Sequence, residues 1–360
     1  MKYCIGKFVP PIVFDIGKSL YRYLAHRRSR AGDDRGLPRP AERACHYHEL
    51  FIRSNGDVYP CCLVWQTDHL KIGHLSDPNL IQKIASFHGR CNCERYRLVS
   101  GLGCNKSYDL LNIELSYKCQ AQCAMCCVDA PSFQGKYDKG NFDMLDTLIS
   151  ALRPNRILVQ GGEILAQPDS INWLARLRQG MPNLGMEMVT NGNNIKQIGY
   201  VTDTFDRITV SFVGFQPATY KVIMGMNVEM TKRFCVEVIA SGKVRVYLKY
   251  LITPNNLHEL PMFLEWAIGL APEVIYFTNA GMRQYINENT GDQYWVKMIS
   301  RTRQELTSVI VKHREFLESQ LNKRFMYIGV DGAHTGELLG INQSYIADHG
   351  LSSIVTMMQN

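Results

Sequence analysis

The chain has 360 residues, 46% of them hydrophobic, a net charge of +7 and twelve cysteines. That length buries one large core with a smaller appended unit, and the composition excludes a chain disordered throughout. No apolar run approaches the ~20 residues of a membrane span. The cysteines are bunched at Cys45 to Cys104 and Cys119 to Cys127, with Cys4 and Cys235 apart, which reads as metal ligation in a reducing cytoplasm rather than a secreted disulfide scaffold.

Pro10-Pro11 interrupts the short N-terminal apolar stretch before any signal-like cleavage site. Residues 12–25, with Ile12, Val13, Phe14, Ile16, Leu20, Tyr23 and Leu24, have helical apolar spacing. They predict a helix docked on the protein. Arg27 to Arg43 is basic but broken by Gly32, Gly36, Pro38 and Pro40, the pattern of a solvated linker. A nucleic-acid footprint would interleave its basic residues with aromatics on one face, so nucleic acid is not the expected partner.

Phe51-Ile52-Arg53 and Val58-Tyr59 flank Ser54-Asn55-Gly56-Asp57, which predicts a hairpin that brings Cys45 near Cys61. A helix-like run from Asn79 to Phe87 follows, and then Cys91-Asn92-Cys93 offers two further thiols. Four thiolates in two pairs also describe a zinc ribbon, whose pairs typically read Cys-x2-Cys.

From residue 109 onward apolar strand-like runs alternate with amphipathic stretches, the pattern of repeated βα units around a parallel sheet. Six strands are expected, Leu111–Ser116, Arg156–Gln160, Met186–Thr190, Arg207–Phe212, Arg245–Ile252 and Glu273–Phe277. Helices are expected at Met144–Leu152, Ile171–Arg178, Met230–Ala240 and Leu257–Ile268. Ligand groups in such sheets cluster at the C-terminal strand ends. Tyr294 to Leu321 reads as one long helix closing the open side, and Phe325 to Val330 as a short strand.

The loop after the first of these strands carries Cys119-x3-Cys123-x2-Cys126. Soft thiolates so closely spaced wrap one metal centre, either an iron–sulfur cluster or zinc. On a cubane of four irons, three thiolates leave one iron open, which separates a reactive site from a closed structural one. Gly161-Gly162-Glu163 ends the second strand: the glycines permit close backbone approach to a ligand, and the carboxylate can take a charge-assisted bond from an ammonium. Thr190-Asn191-Gly192 ends the third, where an ordinary Asn-Gly turn is the plain alternative.

The cysteine spacing resembles the cluster motif of the radical S-adenosylmethionine (SAM) enzymes. The stretch Ser211-Phe212-Val213-Gly214 through Pro217-Ala218-Thr219-Tyr220 to Ile223-Met224-Gly225 is similar to one found in members that carry an accessory cluster domain of the SPASM or twitch kind. Cys45, then Gly56-Asp57-Val58-Tyr59-Pro60-Cys61-Cys62, Ile72-Gly73-His74-Leu75 and the close pair Cys91/Cys93 resemble that accessory module. Here the module precedes the barrel, and its close pair is one residue short, which makes Cys104 a reserve ligand. Val213 and Met224 depart from the Asp and Arg of relatives, so Lys221 or Lys249 is left to supply the positive charge for the cofactor carboxylate.

The resemblance implies an α/β fold with a partial (β/α)6 barrel. Its expected segments are a helix and basic linker (1–44), an auxiliary-cluster domain (45–108), the barrel (109–285) and a C-terminal helical closure and tail (286–360). It implies a [4Fe–4S] cluster on Cys119, Cys123 and Cys126 that binds SAM, and an auxiliary [4Fe–4S] cluster on Cys45, Cys61, Cys91 and Cys93. Met125, Gly161, Gly162, Glu163, Asn191 and Ser211 are the implied cofactor contacts. The implied activity is reductive cleavage of SAM to a 5′-deoxyadenosyl radical, which takes a hydrogen atom from a small-molecule or peptide substrate, with electrons from a flavodoxin- or ferredoxin-type donor. An RNA-modifying radical enzyme and a non-catalytic zinc module are the alternatives. The sequence singles out no catalytic side chain, and Cys62, Cys127 and Cys235 are unassigned.

Overall fold

In a computed structural model of the chain, the described residues are 49–62, 68–87, 108–130 without Ala124, Cys127 and Asp129, 140–280, 291–322, 327–331 and 351–353. The hairpin of β1 (Glu49–Ile52) and β2 (Asp57–Tyr59), joined by β3 (Gly73–His74), precedes the short helix α1 (Leu80–Ser86). Next comes β4 (Leu110–Ser116), and its side chains alternate. Leu111, Ile113 and Leu115 lie on one face, Asn112, Glu114 and Ser116 on the other, as a period of two requires.

After β4 the chain alternates α2 (Gly140–Leu152), β5 (Arg156–Gly161), α3 (Pro168–Gly180), β6 (Gly185–Thr190), α4 (Ile198–Thr204) and β7 (Arg207–Phe212). Two helices, α5 (Pro217–Met224) and α6 (Val228–Ser241), lead to β8 (Arg245–Ile252), and α7 (Leu260–Leu270) leads to β9 (Val274–Asn279). From β4 to β9 each strand pairs in parallel with the next in chain order. Connections between sequential parallel neighbours are right-handed as a rule, and the described helices between β4 and β9 pack into one core against one face of the sheet. The other face then turns inward, and the result is an open, partial barrel.

Burial follows that geometry. Ile157, Val159, Met186, Met188, Ile208, Val210 and Leu248 are fully buried in one core with residues of α2 to α7. Each such side chain contributes about 1.5–3 kcal/mol relative to exposure. Around Phe263 of α7 the rings of Phe212, Tyr250 and Phe277 pack with centroids 5.1, 4.8 and 6.3 Å away.

Helix α8 (Gln293–Lys312) packs Leu306, Val309 and Ile310 inward, and α9 (Arg314–Asn322) follows it. The single helix expected from Tyr294 to Leu321 is thus broken at His313, which leaves the helical region (φ −102°, ψ 14°). There Lys312 and His313 both reach Glu265 on α7. Strand β10 (Tyr327–Asp331) pairs in parallel with β9, and β11 (Leu351–Ser353) antiparallel with β10.

The hairpin is part of the same sheet. Strand β1 lies parallel to β4, with Leu50 opposite Leu111 and Ile52 opposite Ile113, so the order across the described sheet is β11-β10-β9-β8-β7-β6-β5-β4-β1-β2-β3. The expected helix at residues 12–25, the linker, and Cys45, Cys91, Cys93 and Cys104 lie outside the described residues.

Candidate functional site

The loop after β4 holds Cys119, Cys123 and Cys126, all partly exposed and unbridged. Two sulfurs accept backbone hydrogen bonds, Cys119 Sγ from the Ala121 N–H and Cys126 Sγ from the Ala130 N–H, each at 3.4 Å. Burial pushes the Cys119 thiol up to about 11 and the Cys123 thiol to about 12, and neighbouring thiols add to both shifts. A metal centre would supply the positive charge that these thiolates lack, releasing their protons. Among the described residues no three Cys, His, Asp or Glu side chains close round a single metal ion. Three soft donors on one loop are the donor set of an iron–sulfur cluster or of zinc.

Two neighbouring segments hold this loop in place. Gln122 N–H donates to the Met224 carbonyl at the end of α5, at 2.8 Å. On the other side, Gly162 N–H donates to Ser116 O (2.6 Å) and Glu163 N–H to Lys118 O (2.9 Å). The Gln167 amide also reaches Lys118 O, at 3.0 Å. A Cβ on Gly161 would overlap the Ser116 carbonyl, and one on Gly162 the Lys118 carbonyl; Gly161 also has φ +135°. The close approach that these glycines permit is therefore to the cysteine loop's own backbone.

Glu163 is 1% exposed. Its carboxylate accepts from Thr190 Oγ1 (2.8 Å), Asn191 N–H (2.7 Å) and Leu165 N–H (3.1 Å). Burial nevertheless raises its pKa. The carboxylate thus ties the Gly-Gly-Glu turn to the Thr190-Asn191-Gly192 turn. Asn191 Oδ1 takes the Asn193 N–H (2.9 Å) and, at 3.4 Å, the Gln120 amide of the cysteine loop. Ser211 stands on β7 opposite Lys249 of β8, and Met125 packs on the edge of the core. Val213 and Met224 are buried apolar groups.

Below the loop, the inward face of the sheet is polar. Its floor is a belt of ion pairs: Glu187 bonds Arg207 and lies 3.3 Å from Arg156, Arg156 reaches Asp109 at 3.2 Å, and Arg207 stacks over the Tyr247 ring at 4.7 Å. Beside it runs a buried chain in which Gln160 Nε2 donates to Asn112 Oδ1 (2.7 Å) and Asn112 Nδ2 to Glu49 Oε1 (2.6 Å). Near the mouth Tyr117 donates to Glu114 (2.6 Å) and accepts from Arg53 (2.7 Å). Ser211 and Lys249 are the residues of this inward face that the sequence motifs single out, and the ion-pair belt is not among them. The alternation Leu111-Asn112-Ile113-Glu114-Leu115-Ser116 was the available signal.

Cys61 is placed away from this mouth. Phe51 pairs with Tyr59, which puts Cys61 level with Glu49, and Glu49 is opposite Leu110 at the lower end of β4. The cysteine loop leaves the upper end, about 20 Å along a strand of this length. Cys62 faces the Glu49 carboxylate, and burial raises both groups.

The model of the SPASM family, an iron–sulfur cluster-binding domain, matches residues 45–97. Residues 45–97 are therefore similar to a SPASM domain. In the structure the strands β1 to β3 of this matched segment join the edge of the barrel sheet beside β4. The solved structures most similar to it include SuiB of Streptococcus suis bound to precursor peptide SuiA, with 14% identity and a TM-score of 0.46 over 64% of this chain and 51% of that one. They also include anSMEcpe with bound AdoMet, with 14% identity and a TM-score of 0.45 over 65% and 68%. The chain spans about half the length of SuiB. No curated protein matches it. No helix among the described residues is long and apolar enough to cross a membrane.

Proposed function

We propose that the chain is a radical SAM enzyme that abstracts a hydrogen atom from a small-molecule or peptide substrate held in the polar barrel. The observation that carries this reading is the placement of Cys119, Cys123 and Cys126 on one loop over the C-terminal mouth, braced by Gly161-Gly162-Glu163 and by Met224. Those three thiols would hold a [4Fe–4S] cluster, and Cys61 with Cys45, Cys91 and Cys93 an auxiliary one. When bound, the cluster and SAM supply an alkyl radical, fed by an electron from a flavodoxin- or ferredoxin-type donor.

The protein's own part is binding and exclusion of water. Asn191 and Ser211 at the mouth and Met125 of the cysteine loop are the cofactor-facing groups in this reading. The Gly-Gly-Glu turn acts on them through the backbone bonds it makes. Gln160 and Thr209 offer hydrogen bonds to a substrate, and the Arg156–Glu187–Arg207 belt closes the floor beneath it. A substrate therefore enters and leaves by the upper side or the open flank.

Anaerobic reconstitution followed by iron and sulfide analysis tests the assignment. The wild type should hold about eight irons in two clusters and release 5′-deoxyadenosine from SAM with dithionite. Replacement of Cys119, Cys123 and Cys126 together by Ala should remove about four irons and all of the 5′-deoxyadenosine. Continued release from that variant would refute the assignment, and zinc without iron in the wild type would make the chain a non-catalytic module.

A further inference from the structure

We infer that Glu49, contributed by the N-terminal hairpin, is a positioning residue that fixes which edge of the Gln160 amide faces the barrel, so that a substrate there must bring an N–H or O–H donor. The inference rests on the reading above, in which the substrate is held in the polar barrel. Three side chains in a row carry it. Glu49 (2% exposed) lies on β1 beside β4, Asn112 (4% exposed) on β4, and Gln160, half-buried, at the upper end of β5. Asn112 Nδ2 donates to Glu49 Oε1 at 2.6 Å, and Gln160 Nε2 donates to Asn112 Oδ1 at 2.7 Å.

A primary amide has a donor edge and an acceptor edge, and a half-turn exchanges them. Only a neighbour of fixed polarity decides between the two. An ionised carboxylate accepts and cannot donate. With Glu49 accepting, Asn112 donates through Nδ2, its Oδ1 is left to accept, and Gln160 must donate through Nε2. Turning either amide would set oxygen against oxygen in a buried place and leave hydrogen bonds unmade. Gln160 Oε1 is therefore on the amide edge away from β4. Val159 pairs with Met188, so the next inward residue on that side is Val189 of β6, whose side chain has no donor. Among the described residues Gln160 Oε1 has no hydrogen-bond partner. A substrate lying across β5 meets this oxygen one residue below the Gly161-Gly162-Glu163 turn. A site built round such an acceptor rejects a ligand with no donor to give.

The test uses the full-length chain and two measurements. In urea unfolding, Gln160→Glu sets a second acceptor against Asn112 Oδ1 and should lower the midpoint. Adding Glu49→Gln supplies a donor at the other end, lets the Asn112 amide turn, and should recover more than half of the loss. Adding Glu49→Leu instead removes the same charge without supplying a donor and should recover less; equal recovery by the two double variants would overturn the inference. Crystals soaked in N-methylacetamide, which has an N–H, and in N,N-dimethylacetamide, which has none, probe the outward edge. The wild type should seat the first with its nitrogen within hydrogen-bond distance of Gln160 Oε1 and leave the second unbound there. Glu49→Leu, in which the Gln160 amide is free to turn, should take both. Both probes or neither at Gln160 of the wild type would also overturn the inference. Neither measurement involves SAM turnover, so such a result would leave the radical SAM assignment standing. An iron-free wild type that makes no 5′-deoxyadenosine would instead remove that assignment and leave the amide polarity as it is.

Discussion

On its outer face the barrel sheet presents Ile157, Val159, Met188, Ile208 and Leu248, all fully buried against helices. On its inner face the same strands carry Gln160, Glu187, Arg207, Thr209 and Lys249. Sheets covered by helices on both faces tend towards unbroken apolar runs; here one face is apolar and the other mixes ion pairs and amides with a few apolar side chains such as Leu158 and Val189. Stability comes mainly from the outer face, because burying polar groups inside costs free energy that their partners only partly return. The inner face is where sequence is free to answer to a ligand.

The comparison can be broken first at the mouth, where inner face and cysteine loop meet. Gly162→Ala should cost more than about 4 kcal/mol and deplete iron in the reconstituted protein, since its Cβ has no space beside Lys118 O. Gly180→Ala at the end of α3, where a Cβ meets nothing, should stabilise by roughly 0.5–1 kcal/mol. Urea unfolding of both variants measures the contrast.

The two faces themselves are separated by a pair of leucine truncations. Leu248→Ala on the outer face should destabilise by about 2–5 kcal/mol. Leu158→Ala, half-buried on the inner face, should lose about 1 kcal/mol, in proportion to its smaller buried area. Equal losses would mean that the inner face is as much a packed core as the outer one.

A smaller effect distinguishes them through pH. Burial raises the Glu49, Glu114 and Glu163 carboxyls above their ordinary value of 4.5. A carboxyl raised on folding contributes stability below about pH 4.5 that is lost as pH rises through its folded value. Glu49→Gln removes one such group. Its unfolding free energy should fall less steeply than the wild type's from pH 4.5 upward, and parallel curves would show that Glu49 does not titrate across that range.

Strand positions were legible because βα alternation sets the strands off from amphipathic helices; β5 to β9 begin and end within two residues of expectation. Two short helices were not. Pro217 and the left-handed Gly225 cap α5 (φ +73°), yet those residues read as a linear motif, and α4 is only seven residues long. Cysteine spacing made the loop at Cys119 stand out without any fold. What no local pattern conveys is that Gly161 and Gly162 meet Ser116 and Lys118, more than forty residues earlier, or that β1 pairs with β4 across a gap of some sixty.

That last pairing bears on how the protein can be handled. Cutting the chain between residues 97 and 108, to obtain the barrel alone, would strip β1 from β4 and leave the main-chain donors and acceptors of Leu110–Ile113 bare along a new flank. Such a row templates pairing between molecules. The excised fragment should therefore associate through β4 rather than remain single, and a soluble preparation needs residues 49–52 in place even when only the chemistry of the barrel is wanted.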